Sequence, residues 1–541
     1  MAELLDRPFL TEDFSPDGAG IDFLGLRWAN LRILDEYLLP GVNNATEDFG
    51  VYCLAAWLPW KFKSLCKDPK QFRLAQFTRF RQAVEVAMAF VSRTESPATL
   101  RLGAVHRQIG ARQKLTLPSR LNFDRAGRTE ATSIYAAPLY GPSVRYLGLA
   151  GRALAEDGSV TDIWATAEDS NTMAVVTAVE DALSVARSAG KMDDMADLKF
   201  TAKQLDEMGC HGLHPAYSRR FPKKVKQAFL TKLLPTEAPN GRTLTARLVI
   251  RTLRARRGLD VDSLRHVWHS ALLGENRPHQ LSEPELAAHR DRWRMLMIRQ
   301  YQRYVLEEFL RCFEVAVLAG SRTLDEITDH VLRDTLRSGK RTSTVRELFN
   351  EEAAPVSHAR DYAVVAARWA SVVHPGHPAY IEAIALGEDQ NGGCGPALRM
   401  LVRWWFGSMQ AVLAEGNKEL AALGGEDRIS IRWFHRWVEA RLDSDLTTFV
   451  RDIFEQLIFA QHVRVALSRF DGGGQRLRFV LGDDGIVPTR SMVAKLATGL
   501  PGWMADRLTA FVNLLCDLSV LQSNEDGRLE EGPLAEAVVA P

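Results

Sequence analysis

The stretch Asp22–Trp60, DFLGLRWANLRILDEYLLPGVNNATEDFGVYCLAAWLPW, decides how the chain is read. Leu26, Leu31, Leu34, Leu38 and Leu39 recur at helical spacing, and Pro40-Gly41 supplies a stop signal. Val51 to Trp60 is an apolar run that fits a second helix ending near Pro59. Together the halves predict a helical hairpin with a polar Asn43-Asn44 corner. Such a hairpin specifies packing and carries no chemistry of its own.

Outward from it, the pattern stays helical. Lys61 to Ala89 alternates Phe62, Leu65, Phe72, Phe77 and Phe80 with Lys and Arg, which reads as amphipathic helix with a solvated cationic face. Ser133 to Leu149, with Tyr140-Gly141-Pro142, is turn-rich and closes a first segment. Glu285 to Leu318 places Trp293, Leu296, Met297, Tyr301, Tyr304, Val305, Phe309, Phe313 and Val317 at intervals of three and four, the strongest helical signal in the chain. An aromatic stripe at that spacing reads as core. Near the end, Leu477–Leu481 and Ile486-Val487 flank a Gly482–Gly485 turn. Ser519 to Glu530 repeats the form around Asn524–Gly527, after a helix over 503–518. The expected fold is mainly α and multi-domain, with a small C-terminal winged-helix-like α+β module. The expected segments are 1–150, 151–280, 281–425 and 426–541.

The bulk numbers bound the class. With 541 residues, 46% hydrophobic and 25% charged, the chain has the composition of a globular protein long enough for several cores. Six cysteines stand at 53, 66, 210, 312, 394 and 516 without a C-x-x-C pair, which argues against a zinc ribbon or a disulfide framework. The start, Met1-Ala2-Glu3-Leu4-Leu5-Asp6, is acidic where a secretory signal is basic, and no long uncharged apolar run follows. A soluble cytoplasmic protein without a membrane partner is expected.

A net charge of +1 conceals a strong local asymmetry. Between Pro215 and Arg257 there are twelve Lys or Arg against the single acid Glu237. Arg247, Arg251 and Arg254 recur at i, i+4 and i+7, and like charges at that spacing destabilise an isolated helix by a few tenths of a kcal/mol per pair. A polyanion offsets that repulsion through counterion release; acidic segments of the chain or an acidic protein serve as well. The candidate nucleic-acid-binding residues are Arg219, Arg220, Lys223, Lys224, Lys226, Arg247, Arg251, Arg254, Arg256 and Arg257.

Catalytic signatures are absent: there is no P-loop, H-E-x-x-H or G-x-S-x-G, and Gly472-Gly473-Gly474 continues into Gln475-Arg476. His266 with His269, His374 with His377, and Cys210-His211 with His214 each lack a completing ligand, so structural histidines are expected. No catalytic residue, metal ligand or cofactor is assigned. Among 67 acids a carboxylate pair has no sequence spacing that selects it.

Several short pieces carry a family likeness: Asp22, Leu24-Gly25, Leu38-Leu39-Pro40-Gly41, Thr46, Tyr52 and Pro59-Trp60, then Tyr140-Gly141-Pro142-Ser143 with Leu147-Gly148-Leu149. Gln300-Tyr301, Tyr304 and Leu306-Glu307 add to it, as do Gln461–Leu467 and Leu515–Leu518. In these the chain resembles a family of bacterial proteins found in anti-phage defence islands. Glu47-Asp48-Phe49-Gly50 departs from it, standing where relatives carry arginines, so no role of those arginines is carried over. The resemblance implies a helical component of a multi-gene defence system. The expected function is a non-catalytic, nucleic-acid-engaging or scaffolding subunit that makes non-specific backbone contacts, chiefly with DNA, beside subunits encoded by neighbouring genes. The alternatives are a pure protein-interaction adaptor and an effector nuclease with a dispersed metal-dependent site.

Overall fold

The computed structural model describes residues 22–44, 47–65, 120–122, 134–135, 140–154, 160–187, 199–201, 221–273, 277–337, 344–353, 393–468, 477–489 and 504–539, with single positions between 74 and 84 and Met492. Within them the chain is mainly helical, as expected, and its strands form four separate two-stranded antiparallel ribbons. No helix among the described residues is long and apolar enough to cross a membrane. The chain gathers into two compact units: Met1–Phe14, Leu39–Leu253 and Asp506–Pro541 form one, Ser15–Leu38 and Arg254–Ala505 the other. The opening stretch is itself divided. Helix α1 (Arg27–Arg32), prolonged by a π-helical turn at Ile33–Leu38, serves the second unit, and α2 (Phe49–Leu65) serves the first.

In the first unit α2 is the central rod, with every residue from Phe49 to Phe62 except Trp60 buried. It does not stop at Pro59. A proline inside a helix removes the hydrogen bond to the carbonyl four residues back and normally breaks the element. Here that carbonyl, Ala55 O, accepts from the buried Tyr135 hydroxyl at 2.6 Å, and the next, Ala56 O, accepts from Thr166 Oγ1 at 2.6 Å. The break is repaired from outside the helix. Tyr135→Phe should therefore destabilise the protein by ~1–3 kcal/mol by leaving a buried carbonyl without a donor; denaturant titration reads this, and a loss below a few tenths would show that the carbonyl does not need the tyrosine.

Around α2 stand α3 (Gly141–Tyr146), the ribbon β2 (Ala150–Leu154)–β3 (Val160–Thr166), α4 (Ser170–Arg187), α5 (Lys223–Leu233) and α6 (Gly241–Ala255); β1 (Arg120–Asn122) pairs with β4 (Lys199–Thr201). The Phe49 ring meets Phe229 of α5 at 4.9 Å, and Tyr52 meets Tyr140 edge-on at 5.0 Å. Lys61, expected on a solvated face, is buried: Nζ pairs with Glu180 Oε1 at 3.1 Å while Trp57 Nε1 donates to Oε2 at 2.8 Å.

The second unit is built on α8 (Pro284–Leu318), 35 residues and about 52 Å long. Pro284 occupies its first turn, where a missing N–H costs nothing. Every member of the aromatic stripe read from the sequence is buried. Packed on α8 are α7 (Val261–Ser270), α9 (Leu324–Arg337), α11 (Gly395–Leu413) and a π-helical segment at Ile453–Phe459; α10 (Val345–Ala353) packs on α11. Polar residues of α8 are interior too. Arg299 donates to the carbonyls of Arg428 and Ile429, and Gln302 Nε2 to Ile429 at 2.8 Å, fixing the turn between α12 (Lys418–Ala422) and α13 (Ile431–Glu439). Helices α14 (Leu446–Asp452) and α15 (Ala460–Ser468) flank the π segment.

Both terminal hairpins form. Strands β5 (Phe479–Gly482) and β6 (Gly485–Pro488) turn through Asp483-Asp484; at Gly485, with φ +96°, a Cβ would meet the Arg322 carbonyl oxygen at 2.5 Å. The last segment is α16 (Leu508–Asp517), β7 (Leu521–Ser523), β8 (Leu529–Glu531) and α17 (Glu536–Val539). In its turn Asn524 Oδ1 accepts from the amides of Asp526 and Arg528. The hairpins fall in different units, β5–β6 in the second and β7–β8 in the first.

Candidate nucleic-acid interface

The basic segment separates into groups with different surroundings. Arg219 and Arg220 lie outside the described residues. Helix α5 begins after Pro222, which offers no side-chain cap, and carries no acid in its first turn. Lys223 and Lys224 are exposed there. One turn on, Lys226 points inward; it is 4% exposed and its Nζ donates to Ser519 Oγ at 2.8 Å, which removes it from the phosphate-contact set. Near the far end Lys232 pairs with Asp169 Oδ2 at 2.6 Å and also donates to Gly148 O. Against the upward push of burial, hydrogen bonds from Lys232 and Thr172 hold the Asp169 carboxyl below its ordinary value.

Helix α6 buries most of its circumference, including Thr245, Ala246, Leu248, Val249 and Ile250. Arg247 and Arg251 lie on its less buried side, where their i, i+4 spacing puts them. Arg247 Nε donates to Val538 O at 3.1 Å. Arg242, one turn into α6, is interior. Its Nε donates to Leu233 O at 2.7 Å and one terminal nitrogen to Pro40 O at 2.6 Å, so it caps carbonyls that the end of α5 leaves open. Burial pushes its guanidinium down to about 10, still charged at neutral pH.

In the second unit Arg254, Arg256 and Arg257 are exposed. Arg254 sits in the last turn of α6, where a cation complements the carbonyl end of the helix. Arg256 donates to Leu273 O at 2.5 Å. These two have local explanations that require no polyanion. Lys223 and Lys224, at the wrong end of their helix for a cation, have none.

Ser408 Oγ stands 2.6 Å from His435 Nε2, both buried, but the hydroxyl donates to Trp404 O at 2.6 Å. Its proton is committed to the helix, so the imidazole donates to the hydroxyl and the pair is not an activated nucleophile. His266 and His269 share α7, and no group of His, Cys, Asp or Glu among the described residues is arranged to hold a metal. The other two histidine clusters lie outside the described residues. Asp48 and Asp517 are the carboxylate pair that spacing could not select. Asp48 Oδ1 accepts from Gly50 N at 2.9 Å, and burial, then the neighbouring Asp517 carboxylate, hold Asp48 well above the usual carboxylate range. Both acids serve the start of α2, since Asp517 accepts from the Phe49 amide.

Compared with known proteins, the chain matches no family model, no curated protein and no solved structure.

Proposed function

We propose that this chain is a non-catalytic subunit of a multi-protein bacterial anti-phage defence system. It engages nucleic acid, chiefly DNA, through backbone contacts in the cytoplasm, while partners encoded by neighbouring genes carry the chemistry. The observation behind the reading is the start of α5. Two adjacent exposed lysines at the positive end of a helix dipole each oppose it by ~0.3–1 kcal/mol. A phosphate reverses that balance: it accepts from the open amides of the first turn and pairs with both ammonium groups. Arg247 and Arg251 add two cations on the less buried side of α6. The winged-helix-like part of the reading comes to α16 and ribbon β7–β8, to whose segment both basic helices are tied through Lys226–Ser519 and Arg247–Val538. Contacts of this kind position a protein on DNA and carry little sequence information.

The test is a fluorescence-anisotropy titration of duplex DNA over a salt series. The double variant K223E/K224E should bind more weakly and flatten the slope of log K against log salt by roughly 1.8, at ~0.9 per phosphate lost. Its thermal midpoint should hold or rise, because acids suit the first turn of a helix. A wild-type protein that binds no DNA at low salt, yet co-purifies with neighbouring gene products, would replace this reading with a pure adaptor.

A further inference from the structure

We infer that Tyr146 is a stacking platform for an unpaired base, which makes single-stranded nucleic acid the preferred ligand of this surface. The inference rests on the nucleic-acid reading above and adds a base contact to it.

Tyr146 ends α3 with 47% of its surface exposed, next to the exposed Arg145. It is an aromatic ring where burial would be the rule for the rest of its class, and its inner side is built. Gly41, with φ +72°, lies against the ring so closely that a Cβ there would come within 2.5 Å of the ring carbon Cγ. The Arg242 guanidinium stands 5.1 Å from the ring centre, itself fixed by the carbonyls of Pro40 and Leu233. The ring thus rests against a glycine and a clamped cation, and nearly half of its surface stays exposed to a ligand. A π-face held rigid beside positive charge is what stacks bases irrespective of sequence.

The position of α5 supplies the strand path. Its Lys232 end touches the Gly148 carbonyl, two residues from Tyr146, and its other end carries Lys223 and Lys224. From Lys232 back to Lys224 the helix rises roughly 12 Å, a span that a few nucleotides of single strand cover. A strand along α5 would stack one base on Tyr146 and set phosphates at the two lysines. A duplex has its base faces occupied by stacking and offers only the phosphates.

Labelled oligo(dT) and a duplex of equal length, titrated by anisotropy against the full chain, test this. Tyr146→Ala should weaken oligo(dT) binding by about tenfold and leave duplex binding and both salt slopes unchanged. Tyr146→Phe, which keeps the π-face, should stay within about twofold of wild type. Wild-type oligo(dT) affinity carried over intact into Tyr146→Ala overturns the platform, and leaves the phosphate reading standing if K223E/K224E still loses affinity. An equal loss on both ligands also overturns it, since the ring would then act through the fold. Failure of the wild type to bind either ligand overturns both readings together.

Discussion

Unfolding of the second unit is expected to become steeply easier as pH falls from 6.5 towards 4.5. Four histidines of that unit are buried in their neutral form. Burial, then Arg290, holds His279 at about 4; burial, then Arg292, holds His289 at about 3; burial alone holds His435 at about 3. His462 is held at about 4 by burial, partly opposed by its bond to Phe23 O and reinforced by Arg478. Its Nε2 accepts from Arg478 N at 2.9 Å, so an added proton would set two donors against each other. The folded values lie below the unfolded value near 6.5, so in that interval the unfolded chain binds more protons. Stability is therefore full above pH 6.5 and is lost as pH falls through the interval. Each histidine contributes up to ~1.4 kcal/mol per pH unit, and four reach about 5 kcal/mol per unit at the steepest, against a typical total of ~5–15 kcal/mol. Glu307 and Glu308, raised by burial, act in the opposite sense and are outnumbered. Urea titrations at pH 8, 6.5 and 5 check the slope. His435→Phe is the sharper probe: the ring stays between Trp404 and Trp405, and Ser408 keeps its bond to the Trp404 carbonyl. This variant should match wild type within ~1 kcal/mol at pH 8 and exceed it at pH 5. Parallel stability curves for the two proteins would contradict the assignment.

What the sequence made legible were the features whose causes are local. The α8 stripe, the two hairpins with their Gly485 and Asn524–Gly527 turns, and the Arg247–Arg251 spacing all follow from residues within a few positions of one another. Pro59 misleads for the opposite reason. The hydroxyl that lets α2 continue belongs to Tyr135, 76 residues away, and nothing near Pro59 announces it. The hairpin reading of Asp22–Trp60 likewise rested on adjacency in sequence, while each of its helices joined a different core.

The same limit governs the basic segment. Lys226, Lys232 and Arg242 look equivalent to Lys223 and Lys224 along the chain. Only their partners Ser519, Asp169 and Pro40, distant in sequence, divide the paired cations from the exposed ones. The position of Lys223 and Lys224 was legible in one respect: they follow Phe221-Pro222, a helix start, where cations are disfavoured. Tyr146 had a weaker signal, an aromatic next to Arg145 in a short turn-bounded helix. What sets it apart is the close approach of Gly41, which the Pro40-Gly41 stop signal placed at a corner without saying what the corner faced.

Removal of the Glu314 carboxylate should be among the most damaging single changes in the second unit. Arg478 Nε and Glu314 Oε1 are 3.1 Å apart with side chains 5% and 0% exposed, and the guanidinium also lies 5.2 Å over the Phe23 ring. This pair joins the C-terminal end of α8 to the start of the β5–β6 ribbon, and the Arg478 amide fixes His462. Glu314→Ala leaves a buried guanidinium without its carboxylate, a loss of ~3–5 kcal/mol. Removing both charges is a different matter. The desolvation cost of a buried pair is comparable with its attraction, so E314L/R478M, which fills the space with apolar groups, should recover most of that loss. Denaturant titrations of the two singles and the double give the coupling directly. If Glu314→Ala costs less than ~1 kcal/mol, water reaches the pair and it behaves as a surface ion pair. If the double is as unstable as the single, the ribbon depends on the ionic bond itself. In the expected case each single loses stability and the double recovers most of it, which makes the pair a device for fixing the ribbon's register on α8, with little net contribution to stability.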